Sequence, residues 1–114
     1  MNIKVKRIYD PAEDNDGNRI LADRLWPRGV SKEKARIILW AKELTPSDEL
    51  RKWMHADKEK RRKEFEKKYL QELKENKTEI KKLLNGIRGD ITLITAVKDI
   101  EHSHIPTLVS FLKK

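Results

Sequence analysis

The run Asp90-Ile91-Thr92-Leu93-Ile94-Thr95-Ala96-Val97 constrains the fold more than any other stretch of the chain. It lacks the polar alternation of a half-exposed strand and reads as a strand buried on both faces. Such a strand belongs at the centre of a sheet, and helices must supply its covers.

The remaining segments supply those helices and further strands. Ile3 to Tyr9 opens as a first strand, Ile3 and Val5 alternating against Lys4 and Lys6, and Pro11 ends it. Asp16-Gly17 is a turn dipeptide ahead of a second apolar run from Arg19 to Trp26, and the two runs suit neighbouring strands. Pro27 and Gly29 stop the second run, and Ser31 suits the cap of a short helix containing Glu33 and Ala35. Ile37 to Trp40 fits strand and helix alike. Thr45-Pro46-Ser47-Asp48 reads as a helix start, with a hydroxyl cap, a proline in the first turn and an acid behind it. That helix carries Leu50, Trp53 and Met54 on one stripe. Asp57 suits the cap of the next, where Phe65, Tyr69 and Leu73 recur with helical spacing beside Leu70. Asn76 and Glu79 form a capping pair, and Ile80, Leu83, Leu84 and Ile87 continue the stripe, so 58–87 reads as one helix or as two broken near Asn76. Pro106, Leu108, Val109, Phe111 and Leu112 make a final helix. The pattern predicts one α/β domain over 1–114, with a mostly parallel central sheet of three or four strands covered by helices.

Composition bounds the chemistry. Of 114 residues 37% are hydrophobic and 40% charged, which leaves a small core under a heavily ionic surface. The charges alternate in sign, so a folded domain is expected rather than a disordered arm. With no cysteine there is no disulfide, no thiolate nucleophile and no thiolate metal site. No apolar run approaches the roughly 18 residues of a membrane span, and the reading is a cytoplasmic protein with no membrane association. The net charge of +8 favours anionic partners: nucleic acid, nucleotide or phosphorylated metabolite. Mixed lysine and glutamate also fit an ion-paired surface adapted to heat.

In open α/β sheets ligands gather beyond the carboxyl ends of the strands, which privileges two loops. The first is Arg24-Leu25-Trp26-Pro27-Arg28-Gly29, with two guanidinium groups and an indole that can stack on a base or pack beneath an arginine. The second is Lys98-Asp99-Ile100-Glu101-His102-Ser103-His104, which opens the final helix and offers histidines for proton transfer or, through Asp99 or Ser103, a simple cap. His102 and His104 with Asp99 make only a weak metal pattern, since another ligand must come from a distant segment, and neither metal nor cofactor is expected. The basic run Lys58 to Lys68 is interleaved with acids at pairing distance and reads as a solvated face. No P-loop, G-x-G-x-x-G or G-x-S-x-G is present.

Ile8-Tyr9-Asp10, Asp16-Gly17, Arg19-Ile20-Leu21, the block Asp23 to Gly29, Trp40, Lys42, Thr45-Pro46-Ser47, Leu50 to Trp53, Ala96 to Asp99 and His102-Ser103-His104 together resemble the YeaO-like family of bacteria and archaea, whose function is unknown. The likeness runs through nearly the whole chain. It implies that Arg24, Arg28, Lys42, Lys98, Asp99, His102 and His104 form the family's polar site. Relatives in the broader superfamily carry cysteine where this chain has Thr95 and Ser103, so any thiol chemistry there is lost here.

These features point to a cationic pocket for a small anionic ligand, phosphorylated ones included. Arg24, Trp26, Arg28, Lys42, Lys98 and Ser103 would bind it, and Asp99, His102 and His104 are the acid–base candidates. Two alternatives stand beside this reading. One is a nucleic-acid module using the basic helices and Trp26, and the other is an interaction module marked by an exposed apolar patch beside the central helices.

Overall fold

The computed structural model describes residues 2–114. Its centre is β4, Ile91–Thr95, every residue of which is buried. β1 (Ile3–Arg7) lies parallel on one side and β2 (Asn18–Leu21) parallel on the other, and β3 (Leu39–Trp40) completes a four-stranded sheet in the order β1-β4-β2-β3. Register places Val5 and Ile20 on either side of Leu93. All pairings are parallel. β1 and β2 are therefore not neighbours, contrary to the sequence reading. Two parallel strands need a crossover, and the 8–17 connection passes over β4, where Thr92 Oγ1 donates to the Asp16 carbonyl at 2.6 Å.

Alternation along the strands divides the core. Ile20, Ala22, Ile91 and Leu93 face a cover made by α2 (Asp48–Ala56), α3 (Lys58–Glu75), α4 (Lys77–Leu84) and α5 (Ile105–Lys113), from which Leu50, Phe65, Tyr69, Leu73, Ile80 and Leu108 fill the space. Leu21 and Ile94 face the opposite side, with Ile8 and Ala35 of α1 (Lys32–Ala35), and Trp26, Val30 and Trp40 close that smaller cluster.

Helix boundaries follow local chemistry with three departures from expectation. Ser47, not Thr45, caps α2, accepting from Leu50 N at 3.2 Å, because Thr45 ends the preceding 3-10 turn with its hydroxyl bonded to the Lys42 carbonyl. Asp57 caps α3, but Asn76 makes no side-chain cap for α4 and the helices simply break there. β2 stops at Leu21 rather than Trp26, because Asp23 turns its carboxylate inward and the following residues fold over the smaller cluster.

Beneath the sheet's second face lies a buried ion cluster. Asp16, only 2% exposed, meets Arg19 Nη1 at 2.6 Å and Lys6 Nζ at 3.1 Å. Burial works to raise the Asp16 pKa, but the Glu13 N–H, Lys6 and Arg19 prevail and hold it at about 2. Among the described residues no helix is long and apolar enough to cross a membrane.

Candidate functional site

At the carboxyl end of the sheet the two privileged loops meet at their bases. Asp23, two residues past the end of β2, accepts Thr95 Oγ1–H and Ala96 N–H, each at 2.7 Å. An internal carboxylate thus takes the backbone donor at the end of β4, a place where parallel sheets commonly receive a ligand's anion. Arg7 reaches the same loop from the other side, its Nε donating to the Val97 carbonyl at 3.1 Å.

His104 points back under the first loop, and its Nε2 donates to the Ala22 carbonyl at 2.6 Å. Burial pushes the imidazole pKa below its ordinary value, against the raising effects of that carbonyl and of Asp23. Nε2 carries a proton, because a carbonyl can only accept. The edge of the His104–Tyr69 pair is packed at 6.0 Å between centroids, and Tyr69 OH donates to the Leu44 carbonyl. His102 is exposed, with Nδ1 held by the Asp99 carboxylate at 2.5 Å, and this bond keeps the Asp99 carboxyl below the usual carboxylate range. Ser103 donates to the Ile100 carbonyl and accepts from Ile105 N, which consumes its hydroxyl at the start of α5.

The expected ligand-binding residues are dispersed. Arg24 donates from both Nε and Nη2 to the Pro46 carbonyl, at 3.1 and 3.0 Å, and clamps the entry to α2. Trp26 packs edge-on against Trp40, 5.5 Å between centroids, and donates Nε1–H to the Val30 carbonyl. Its indole faces the smaller core cluster. Lys42 sits 4.1 Å over the Trp40 ring and shares with Arg24 a cleft of about 270 Å³ that Glu43, Glu72 and Glu75 also line. Three carboxylates against two cations do not make an anion site. Arg28 and Lys98 remain, both exposed and without a hydrogen bond or ion pair among the described residues.

Ion pairing along α3 is sparser than its sequence suggests. Only Arg62 and Glu66 approach, at 3.9 Å, and Arg61 and Lys68 instead stack on the Trp53 ring. The unpaired lysines of α3 gather elsewhere. Between the α3–α4 wall and α5 lies an open cleft of about 1180 Å³, floored by Leu70, Leu84, Phe111 and Leu112. Lys63, Lys67, Lys74, Lys77, Lys81 and Lys114 rim it, against Glu66 as the one acid. Pro106, Thr107 and Ser110 line its α5 side.

Sequence reasoning missed this cleft, although a signal was present. Lys63, Lys67, Leu70, Lys74, Lys77, Lys81 and Leu84 are separated alternately by four and three residues, the spacing of one helical face, which α3 carries to Lys74 and α4 resumes at Lys77. The stripe lies beside the core positions Phe65, Tyr69, Leu73 and Ile80 and was overshadowed by them.

Comparison with known proteins agrees along the whole described chain. The family model of the inactive DUF488-N3 subclade matches residues 2–114. The uncharacterised protein YeaO of Escherichia coli (strain K12) is 42% identical over 114 residues, 99% of this chain and 98% of its own length. An uncharacterised protein of Mycobacterium tuberculosis (strain ATCC 25618 / H37Rv) is 37% identical over 112 residues, 96% of this chain and 92% of its own. No solved structure matches the chain.

Proposed function

Because the chain belongs to the inactive DUF488-N3 subclade, we propose that it is a binding module that takes an anionic partner with an apolar face on its helical side, and that it performs no acid–base reaction. The observation that carries this reading is the cleft beside α5, where six lysines surround an apolar floor and one glutamate opposes them. Apolar surface left open and rimmed by one sign of charge is the mark of a recognition site.

The groups suited to chemistry support the same reading by being occupied. His104 is tied to the Ala22 carbonyl, Ser103 to the Ile100 carbonyl and the α5 entry, and Thr95 to Asp23. Thr95 and Ser103, the positions where the family resemblance places cysteine in relatives, hold internally bonded hydroxyls. Asp23 repels an anion from the end of β4. The exposed pair Arg28 and Lys98 is the competing location for an anionic ligand, and the test separates the two places.

The probe is 8-anilinonaphthalene-1-sulfonate, a sulfonate on an aromatic body, titrated into the protein with backbone amide shifts mapped by NMR. Saturable binding with shifts confined to α3, α4 and α5 is expected, weakened by about tenfold in Lys67→Glu/Lys81→Glu, in which two rim charges are reversed. Shifts centred on Arg28 and Lys98, or no saturable binding, overturn the reading.

A further inference from the structure

We infer that the occupant of the cleft is an acidic amphipathic helix of a partner protein. That assignment rests on the cleft being the binding site proposed above and adds the class of molecule that fills it.

Geometry favours a helix over an extended peptide. The walls are α3, α4 and α5, whose backbone groups are bonded within each helix, so an incoming strand finds no free edge to pair with. A helix brings its own backbone bonds and needs only a surface for its apolar stripe. Leu70, Leu84, Phe111 and Leu112, all partly exposed, supply that surface along the floor. The α3 part of the rim, from Lys63 to Lys74, advances about 16 Å at the helical rise, and α4 prolongs it to Lys81, enough for three or more turns of a ligand helix, on the order of 12 residues or longer.

Charge selects the partner's flanks. Lys63, Lys67, Lys74, Lys77 and Lys81 fall at spacings of four, seven, three and four along one wall, with Leu70 at the intervening position, and have no ion-pair partner among the described residues. Carboxylates at the same spacing on a facing helix would meet them in register. A second copy of this chain is disfavoured, since its own cleft presents the same lysines on a molecule of net charge +8. A nucleic acid would engage the lysines but leave the leucines of the floor wet, because Phe111 is the one aromatic ring lining it for a base to stack on.

The experiment uses a fluorescein-labelled peptide of roughly 18 residues with leucine on one helical stripe and glutamate flanking it. Its control is a scrambled peptide of identical composition, in which the stripe is broken. Fluorescence anisotropy with the full chain is expected to give binding at least about tenfold tighter for the patterned peptide, and the patterned peptide should gain helical circular dichroism on binding. Lys67→Glu and Lys74→Glu, both exposed and away from the core, should each weaken it, while Lys52→Glu on α2 should not. Equal affinity for the scrambled peptide, or displacement of the patterned one by an equimolar single-stranded oligonucleotide, overturns the inference. Saturable dye binding in the cleft with no preference for the patterned peptide would defeat the helix and leave the binding module standing. Loss of dye binding as well would defeat both.

Discussion

Asp23 joins two loops with one carboxylate, which makes it the most consequential single residue at the sheet's carboxyl end. Its oxygens take Thr95 Oγ1–H and Ala96 N–H in a half-buried setting, so Asp23→Ala leaves two donors without a partner. The expected loss of stability is about 1–3 kcal/mol in urea unfolding. Thr95→Val on the Asp23→Ala background should add less than it does alone, because the hydroxyl has already lost its acceptor; strictly additive losses would mean the bond contributes nothing. Gly17 is irreplaceable for a different reason. Its backbone sits at φ 66° and ψ −129°, a region essentially closed to side chains, and an added Cβ would stand 2.7 Å from the Asp90 carbonyl oxygen. Gly17→Ala should cost about 2 kcal/mol or more, whereas Gly29→Ala, at φ 75° with nothing within 4 Å of the new atom, should cost about 1 kcal/mol. Comparable denaturation midpoints for the two variants would contradict the steric argument.

Between elements, polar side chains set the helical cover's geometry as much as apolar ones do. Ser47 caps α2 while its own N–H and hydroxyl both donate to the Glu72 carboxylate of α3, at 2.9 and 2.6 Å, so one residue fixes the start of one helix and its distance from another. Ser47→Ala removes the cap and one of those bonds, and the midpoint of thermal unfolding should fall by an amount corresponding to about 1–2 kcal/mol. A loss of a few tenths would mean Glu72 is as well satisfied by water. How far such elements can be read from sequence depends on where their partners lie. β4 was legible because five successive buried residues leave no other role for it, and the caps at Ser31 and Asp57 were legible because donor and acceptor are three residues apart. The separation of β1 from β2 was not, because it is decided by a strand some seventy positions further on that inserts between them. Arg24 read as a ligand group and His104 as an acid–base candidate for the same reason: the carbonyls of Pro46 and Ala22 that occupy them are remote in sequence and carry no side-chain signal. The lysine stripe was visible as spacing, but the cleft exists only once α5 docks opposite it.

For the molecule as a whole, two buried groups on opposite faces of the sheet divide its response to acid. Asp16 is held at a pKa of about 2 when folded, against an ordinary value of 3.8, so the unfolded chain takes up its proton first as pH falls. Its contribution is complete above about pH 5 and fades as pH drops through 3.8 towards 2, a loss of about 2 kcal/mol. His104 acts at higher pH. Its folded pKa also lies below the ordinary 6.5, and between those two values the unfolded imidazole binds a proton that the folded one refuses, so stability declines as pH falls below about 7. The two limbs are separable by substitution. His104→Gln preserves a donor towards the Ala22 carbonyl and removes the titration, so the slope of unfolding free energy against pH just below 7 should flatten while the limb below pH 4 persists. Asp16→Asn should lower stability throughout, because Arg19 loses its 2.6 Å carboxylate inside the protein, and should flatten only the acid limb. Urea unfolding from pH 2 to 8 on the three proteins reads both slopes. If the acid limb of Asp16→Asn matches that of the parent, the buried ion cluster is not what couples folding to acid, and exposed carboxylates acting through the +8 surface must carry the effect instead.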